Sequence, residues 1–475
     1  MTIRKIGAAE LSQHCSDDDA WIAINGLVWD VSGFATIHPG GRSAIVEHYG
    51  RDGSEVYNDL HSRGLMEAQL GKGKQLGVLK AEESELSHTK TEANSVVSLA
   101  NLDSIVSIHE FEKAAQKILK PKSAAYISSA TEASLTKQAN ADWYQRIWFR
   151  PRILTGVGTV DTGTTILGKR YASPIFNAPT SSAMLAHRDG ELAMARGLAR
   201  RGNTIIIPTM SSYPLNEIVE ALPKGHPFFF QLYVHSNQSE LEKLLQALSE
   251  LGPQAIVVTA DLPVMTKRET YEQYLVKESG GRLKISADTL VALEPVYSAV
   301  DPDLTWAKVK WIQERTRTPV FVKGIQCAED AQKAVAYGCS GIYISNHGGR
   351  ALDTAQPAIL TLLEIQACCP EVLDKLEVLI DGGVQRGTDI LKAICLGASA
   401  VCLGRPLLYS LAYGEKGVEH AIKILEAELR TAMQLVGITS LQQAHPGLLN
   451  TRQVDSFVQR GNEHPWARKV RRVKL

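Results

Sequence analysis

The chain has 475 residues, 44% of them hydrophobic and 21% charged, and its formal net charge is zero. This composition is typical of a globular protein with two or three domains, and the balanced charge gives no electrostatic reason to expect a nucleic-acid partner. The longest apolar runs, such as "AIVVTA", have the length of strands, so the sequence predicts no membrane span.

Residues 1 to 80 form the first predicted unit. Short strands, "WIAING" and "LVWDVSGF", flank an Asn25-Gly26 hairpin turn, and short helical pieces follow. Two histidines, His38 and His61, lie 23 residues apart beside apolar helical sequence. Histidine is a ligand for haem iron, zinc or copper, but no cysteine or paired carboxylate completes a zinc set here. His14 and His48 lack such a context and are expected at the surface.

Residues 81 to 104 are predicted to be a linker, because they are polar and poor in aromatic residues. Residues from about 105 to 475 form the second predicted unit, in which the pattern of apolar and polar residues differs from that of the linker. A helical lead-in is followed by eight short apolar runs with helix-like segments between them. This repetition predicts a (β/α)8 TIM barrel that follows a small α+β domain. A doubly wound sheet is the alternative, but it would require a G-x-G-x-x-G loop, which the chain lacks.

Polar residues cluster where the predicted barrel strands end, which is where barrels carry their chemistry. They include Thr180, Thr209, Gln231, Tyr233, Thr259, Asp261, Lys323, His347, Arg350, Asp381, Gly404 and Arg405. The last two strands end in "IDGG" and "LGRP", a pattern that indicates a phosphate site built from backbone N–H groups and a cation. A long insertion after the fourth strand, which contains "KESGGRLKIS", is predicted to be a mobile lid.

The barrel region, from about residue 105 to 440, resembles the FMN-dependent α-hydroxy-acid oxidase and dehydrogenase family. The matching motifs are "SNHGGR", "FFFQLYV", "TADLP" followed by "KRE", "FVKGI", "DGGVQRGTDILKA" and "LGRP". The resemblance implies that His347 is the base and that Asp261 orients it. It also implies that Arg350 and Tyr126 bind the substrate carboxylate, Tyr233 contacts the substrate hydroxyl, and Arg268 is a second cation nearby.

The same resemblance implies the residues that bind FMN. Lys323 is expected to stabilise negative charge on the reduced flavin, and the glycines of "SNHGGR" are expected to let that turn pass close to flavin and substrate. The other expected contacts are Ala178, Pro179, Thr180, Thr209, Gln231, Thr259, Asp381, Gly382, Gly383, Gly404 and Arg405. Gln385 stands where the family commonly has arginine, and Arg386 is expected to compensate. Ser181, Met210 and Val264 are expected to line the pocket for the substrate side chain.

The first unit resembles cytochrome b5 over "DDAWIAINGLVWDVSGFATIHPGG". His38 and His61 are then the axial ligands of a non-covalent haem b, whose natural role is electron transfer. Together the two resemblances imply oxidation of an L-2-hydroxy acid, with lactate favoured, to the 2-keto acid. Electrons would pass from FMN to haem b and on to a one-electron acceptor such as cytochrome c. A homotetramer is implied by the same resemblance.

Three other functions remain open at this stage. An oxidase would pass the electrons to O₂, although the haem unit argues against it. A Schiff-base lyase would use Lys323, and a redox sensor would bind both cofactors without turnover.

The ends of the chain and its cysteines bear on the compartment. The N-terminus has no apolar signal core, which favours the cytoplasm, or the mitochondrial intermembrane space if a presequence was removed. Val473 replaces the serine of a Ser-Lys-Leu address, so the peroxisome is not expected. Seven cysteines without a C-x-x-C motif suit reduced thiols and no covalently attached haem.

Overall fold

A computed structural model describes residues 4–38, 42–80, 101–281 and 300–458. Within these ranges the chain forms two units: a small α+β unit up to residue 80 and a barrel with its helices from residue 101. Residues 81–100 of the predicted linker, residues 282–299 of the insertion after the fourth barrel strand, and the C-terminal residues 459–475, which include the basic "RKVRRVKL", lie outside the described residues.

The first unit is a five-stranded sheet with four short helices. The strands, which pair in the order β1-β5-β4-β3-β2, are β1 (Lys5–Ile6), β2 (Cys15–Ser16), β3 (Asp19–Ile24), β4 (Leu27–Asp30) and β5 (Gln75–Leu79). The helices are α1 (Ala8–Leu11), α2 (Ser43–Val46), α3 (Ser54–Leu60) and α4 (Leu65–Leu70). Asn25 and Gly26 join β3 to β4 with φ values of 53° and 78°, as the two-residue hairpin turn requires.

Three helices and three short strands lead into the barrel. They are α5 (Ile108–Ala115), α6 (Pro121–Ser128), α7 (Leu135–Gln145), β6 (Trp148–Phe149), β7 (Thr164–Ile166) and β8 (Lys169–Tyr171). Helix α7 begins where the Asp353 carboxylate accepts hydrogen bonds from the backbone N–H groups of Leu135 and Thr136, at 3.2 and 2.8 Å. This carboxylate satisfies N–H groups that the first helical turn leaves without partners.

Eight parallel strands form the barrel, and each corresponds to one of the eight predicted apolar runs. They are β9 (Ile175–Asn177), β10 (Ile206–Pro208), β11 (Phe229–Leu232), β12 (Ala255–Thr259), β13 (Val320–Ile325), β14 (Gly341–Ile344), β15 (Glu377–Ile380) and β16 (Ala400–Leu403). Nearly every residue in these strands is buried, because helices cover the outside while side chains fill the inside. The prediction of a TIM barrel is therefore confirmed.

A side chain closes the barrel between its first two strands. Adjacent strands from β10 round to β9 pair through backbone ladders. Between β9 and β10, Asn177 Nδ2 donates to the Ile206 carbonyl at 2.9 Å, and the Ile206 N–H donates to Asn177 Oδ1 at 2.7 Å. The amide of Asn177 thus takes the place of a peptide group and completes the ring.

After the first barrel strand, the described residues form eleven helices, which surround the barrel. They are α8 (Gly190–Arg200), α9 (Leu215–Glu220), α10 (Gln238–Leu251), α11 (Glu269–Glu278), α12 (Trp306–Thr316), α13 (Ala328–Ala336), α14 (Ala358–Cys368), α15 (Glu371–Lys375), α16 (Gly387–Cys395), α17 (Arg405–Leu411) and α18 (Gly414–Val436). Helix α10 illustrates their pattern, because Leu241, Leu245 and Leu248 lie on one face and are buried. Strand β17 (Leu449–Asn450) returns to pair with β6.

The hairpin of β7 and β8 covers the end of the barrel where the strands begin. Its residues Ile166 and Tyr171 belong to the same buried cluster as the inward-facing Phe176 and Phe321. Thr164 also donates to the carbonyl of Ser399, which precedes β16, at 3.1 Å. Since this end is covered, access to the barrel lies at the opposite end, where the strands finish.

Candidate active site and haem site

The carboxyl ends of the barrel strands open into one cavity. It is lined by most of the barrel residues that the sequence predicts as site residues: Tyr126, Ala178, Pro179, Thr180, Thr209, Gln231, Tyr233, Arg268, Lys323, His347, Arg350, Asp381, Gly382, Gly383, Gly404 and Arg405. They come from all parts of the barrel sequence and meet only because parallel strands end at the same edge.

His347 stands three residues after the end of β14 and is held by two side chains. Its Nδ1 lies 3.0 Å from Asp261 Oδ1, and its Nε2 lies 3.4 Å from the Tyr233 hydroxyl oxygen. If the Nδ1 proton is donated to the carboxylate, Nε2 keeps its lone pair and faces the cavity as a base. The backbone of His347 has φ of 60°, an unfavourable conformation for a residue with a side chain and one that is often found at functional sites.

Asp261 lies behind the imidazole rather than in the cavity wall. Its side chain is fully buried, and Oδ2 is 3.7 Å from the Lys323 ammonium. Burial alone would raise the pKa of Asp261, but Lys323 and His347 outweigh it and hold this pKa below its usual range. Asp261 is therefore ionised at neutral pH and can stabilise a positive charge on His347.

The surroundings of His347 make a prediction about pH. Burial, followed by the charge of Lys323, lowers the pKa of His347, although Asp261 opposes the shift. A base must be neutral, so flavin reduction should slow as pH falls through this lowered pKa. We expect the acid limb of the flavin-reduction rate to lie below ~6.5, the ordinary imidazole value. Stopped-flow measurements across that range test this, and a limb centred above it would contradict the assignment.

Arg350, Arg268 and Tyr126 form a cationic group on one side of the cavity. The Arg350 guanidinium is 5.0 Å from the centre of the Tyr126 ring, and the Arg268 guanidinium is 5.6 Å from it. Arg350 Nη1 also donates to the carbonyls of Tyr126 and Ser129, at 3.2 and 3.1 Å. Two guanidinium groups beside a phenol are suited to binding a small carboxylate.

Lys323 and Asp381 belong to one buried hydrogen-bond network. Lys323 Nζ donates to Ser345 Oγ at 3.2 Å, and this hydroxyl donates to Asp381 Oδ1 at 2.7 Å. The Tyr343 hydroxyl donates to Asp381 Oδ2 at 2.9 Å. Ser345 and Tyr343 were not predicted from the sequence. Their hydroxyls point into the barrel from β14 and the residue that follows it, and only the alternation of side chains along that strand could have indicated this.

Gln231 and Thr209 lie in the cavity wall, whereas Thr259 lies behind them. Gln231 Nε2 donates to Thr259 Oγ1 at 2.9 Å, and Thr209 Oγ1 donates to the Gln231 carbonyl at 2.6 Å. Thr259 does not line the cavity itself. Thr259 therefore holds Gln231 through its side chain, and the contacts of all three residues with the flavin stay predictions.

Helix α7 passes so close to the turns after His347 and Asp381 that only glycine fits at one position in each turn. A Cβ on Gly349 would lie 2.6 Å from the backbone nitrogen of Lys137, and one on Gly383 would lie 2.1 Å from the Asn140 carbonyl oxygen. Both glycines also have positive φ, of 75° and 82°. The close approach that requires Gly349 is thus to another part of the chain, whereas the sequence analysis attributes it to flavin and substrate.

Asn140 of α7 is a site residue that the sequence analysis missed. It is buried and lines the cavity, and its amide exchanges two hydrogen bonds of 2.8 Å with the amide of Asn346. The pair ties α7 to the "SNHGGR" turn. A polar residue in the buried face of a helix was the available signal, but its partner is 206 positions away and no local pattern identifies it.

Arg386 does not reach the cavity and so does not have the place predicted for it. Its guanidinium donates to Glu428 Oε1 at 2.9 Å on the outside of the barrel, while Gln385 lines the cavity. Arg386 is the N-cap of α16, so its side chain points away from the cavity.

The residues expected to line the pocket for the substrate side chain are only partly found there. Ser181 and Met210 line the cavity, whereas Val264 is 62% exposed and lies outside the lining.

His38 and His61 face each other in the first unit. Their ring centres are 6.2 Å apart, and the surrounding walls are largely apolar, with Ile22, Phe34 and Met66 among them. Two metal–imidazole bonds of about 2 Å, plus about 1 Å from each nitrogen to its ring centre, require about 6 Å. Burial lowers the pKa of His61 to about 3, so this ring is neutral and can ligate iron.

A buried nitrogen of His61 supports the same conclusion. Its Nδ1 has no hydrogen-bond partner among the residues that the structure describes. The residues present therefore fit a haem held between two histidines. His48, which was expected at the surface, is half-buried and lines this cavity.

The two units share this cavity. Its wall runs from His38 and His61 to the strand ends around His347. The backbone N–H of Ser62, next to His61, donates to the Ser212 carbonyl after β10 at 2.9 Å. The Lys120 ammonium forms an ion pair with Asp59 at 2.5 Å. These contacts dock the histidine pair over the open end of the barrel.

Two family models match the chain. One describes an FMN-dependent dehydrogenase and matches residues 115–451, and the other describes a cytochrome b5-like heme/steroid binding domain and matches residues 8–80. The chain belongs to the FMN-dependent dehydrogenase family. This dehydrogenase carries FMN in the barrel and haem b in the cytochrome b5-like unit.

Curated relatives and solved structures extend the same comparison. The dehydrogenase is 35% identical to L-lactate dehydrogenase (cytochrome) of Saccharomyces cerevisiae, over 95% of this chain and 80% of that protein. It is 38% identical to glycolate oxidase 3 of Arabidopsis thaliana, over 71% of this chain and 94% of the oxidase. A solved structure of a flavocytochrome b2 mutant with pyruvate bound matches with a TM-score of 0.70 and 37% identity, over 75% of this chain and 89% of that one.

In the described parts of this dehydrogenase, no helix is both long enough and apolar enough to cross a membrane.

Proposed function

We propose that the chain oxidises a small L-2-hydroxy acid, L-lactate in particular, to the 2-keto acid and passes the electrons to a one-electron acceptor such as cytochrome c. The observation that carries this proposal is the shared cavity, in which a base and a carboxylate-binding group at the barrel end adjoin a pair of haem-ligating histidines. When bound, FMN accepts two electrons from the substrate, and haem b passes electrons on one at a time.

The residues of the chain supply binding and proton transfer. Arg350 binds the substrate carboxylate with Tyr126, and Arg268 adds a second positive charge on the same side. Tyr233 contacts the substrate hydroxyl, and Nε2 of His347, 3.4 Å from the tyrosine oxygen, takes a proton from the substrate. Asp261 stabilises the imidazolium that results, and Lys323 faces the cavity as a buried positive charge for the reduced flavin.

Two other activities are weaker explanations of the same site. An oxidase that uses O₂ shares the barrel, but it leaves the docked histidine pair without a role. A Schiff-base lyase would need a neutral amine at Lys323. The structure instead engages the Lys323 nitrogen with the Asp261 carboxylate at 3.7 Å and with the Ser345 hydroxyl at 3.2 Å.

The first unit also suits a basic electron acceptor. The first unit and the start of the predicted linker, residues 1 to 86, together contain 13 acidic and 8 basic residues, so this part of the chain is negatively charged. Opposite charges steer two proteins together, as the proposed transfer to a cytochrome c would require.

A panel of 2-hydroxy acids, followed anaerobically with the full-length holoenzyme, tests the proposal. We expect L-lactate to bleach the flavin band first and then to reduce the haem Soret and α bands, while D-lactate does neither. Flavin bleaching without haem reduction, together with rapid reoxidation by O₂, would identify an oxidase instead. Covalent trapping of substrate by borohydride at Lys323 would identify the lyase.

A further inference from the structure

The cavity carries an excess of positive charge. Seven basic and three acidic side chains line it, not counting histidines. Lys120 and Lys122 are exposed, but the other five basic side chains are buried or half-buried. Like charges in such positions repel one another, and the surplus is relieved when anions bind. The family's cofactor FMN brings a phosphate dianion, and the question is which side chains neutralise it in this chain.

The loops after the last two barrel strands supply only one cation to the cavity. After β15, the cavity-facing residue is the neutral Gln385, and Arg386 is turned outwards to Glu428. After β16, Arg405 lines the cavity, and its guanidinium donates to the carbonyls of Ile127, Gly348 and Ser129 at 3.1, 2.9 and 2.8 Å. One guanidinium leaves a dianion half neutralised.

Lys137 lies beside Arg405 and lines the same cavity. It stands in the first turn of α7, on the face that continues through Asn140, against which Gly382 and Gly383 pass closely. Its ammonium donates to the Ser128 carbonyl at 2.8 Å, next to the Ser129 carbonyl that Arg405 binds. The two cations are thus anchored by the carbonyls of adjacent residues.

The electrostatics of Lys137 agree with this placement. Burial, followed by the charge of Arg405, lowers the pKa of Lys137, and Arg350 adds to the shift, whereas Glu112 opposes it. Burial and then Arg350 also lower the pKa of Arg405 to about 10. The charge of Arg405 therefore destabilises the charged form of Lys137, and an anion bound beside both would remove that cost.

We propose that Lys137 is the second cation of the FMN phosphate site and supplies the charge that position 385 lacks. This inference rests on FMN as the cofactor and not on the identity of the substrate. Lys137 then contacts the phosphate group only, so its contribution is absent for riboflavin, which has the same ring system without a phosphate.

The test compares the two flavins. The full-length protein is stripped of FMN with its haem retained, and FMN or riboflavin is titrated while quenching of flavin fluorescence is followed. Loss of a charge-assisted hydrogen bond in Lys137→Met should weaken FMN binding by about 10-fold to 100-fold and leave riboflavin binding unchanged. Lys117→Met, at an exposed position outside the cavity lining, is the matched control and should bind both flavins normally.

Two further variants make the outcome decisive. Lys137→Arg keeps the charge and should keep most of the FMN affinity. Gln385→Arg places a cation at the loop after β15 and should restore FMN binding when combined with Lys137→Met. Equal losses for FMN and riboflavin would mean that Lys137 only supports the fold, and unchanged FMN binding would also overturn the proposal. The titration measures binding without turnover, so an error in the proposed substrate would not affect it.

Discussion

Replacing His347 with glutamine should reduce the rate of flavin reduction by substrate by about 10²–10⁴, the usual contribution of a general base. Glutamine keeps a polar side chain but cannot accept the proton that Nε2 of His347 is placed to take, and Asp261 then has no imidazolium to stabilise. The loss will be larger if the charge stabilisation by Asp261 is a major part of the barrier. Anaerobic stopped-flow measurement of flavin bleaching gives the rate directly.

The control for this prediction is Arg350→Lys. Lysine keeps the charge of Arg350 but not its planar fork, so weaker substrate binding should account for much of the lost activity. The flavin and haem spectra should be normal in both variants. If His347→Gln reduces its flavin at close to the parent rate, His347 is not the base.

Replacing His61 with alanine should abolish the spectrum of a haem ligated by two histidines, and His38→Ala should do the same. The rings of His38 and His61 are 6.2 Å apart, so each would supply one ligand to an iron held between them and neither could supply both. Flavin reduction by substrate should survive, because the His347 centre belongs to the barrel. Reduction of an external cytochrome should be lost, since the electrons no longer have a carrier between flavin and acceptor.

His14→Ala is the matched control for the haem variants. His14 belongs to the same unit, but it stacks on Trp21 with ring centres 3.4 Å apart and does not line the cavity. Its haem spectrum should be normal. A normal haem spectrum in both His38→Ala and His61→Ala would show that the iron is held elsewhere.

Much of the barrel site was predictable from the sequence because its residues occupy strand ends. A strand is recognised from its apolar run, and the residue that follows it must lie at the open end of a parallel barrel. This places His347, Lys323 and Gln231 at the cavity without any knowledge of contacts. The same reasoning does not say how far a side chain lies from the cavity surface. Thr259, which was expected among the flavin contacts, lies behind Gln231 for this reason.

The errors at Arg386 and Val264 have a common cause. Both residues were placed by their position in a motif, and a motif fixes the path of the backbone more closely than the direction of each side chain. Gln385 and Arg386 are neighbours, yet the first faces the cavity and the second caps α16 and binds Glu428. Because α16 begins at this point, the direction of its first turn determines whether the Arg386 side chain points into the cavity or away from it.

The sequence by itself determined the two units, the eight barrel strands and the residues at the strand ends, because periodicity and turn chemistry act over a few residues. The resemblance to cytochrome b5 singled out the histidine pair. Only the tertiary structure decided that α7 lies across the cavity, where Asn140 binds Asn346 and Lys137 lies beside Arg405. It also decided that the cytochrome b5-like unit docks over the barrel through Ser62 and Asp59. These contacts join residues far apart in the chain, and their partners are selected by packing of the whole fold, which no local pattern encodes.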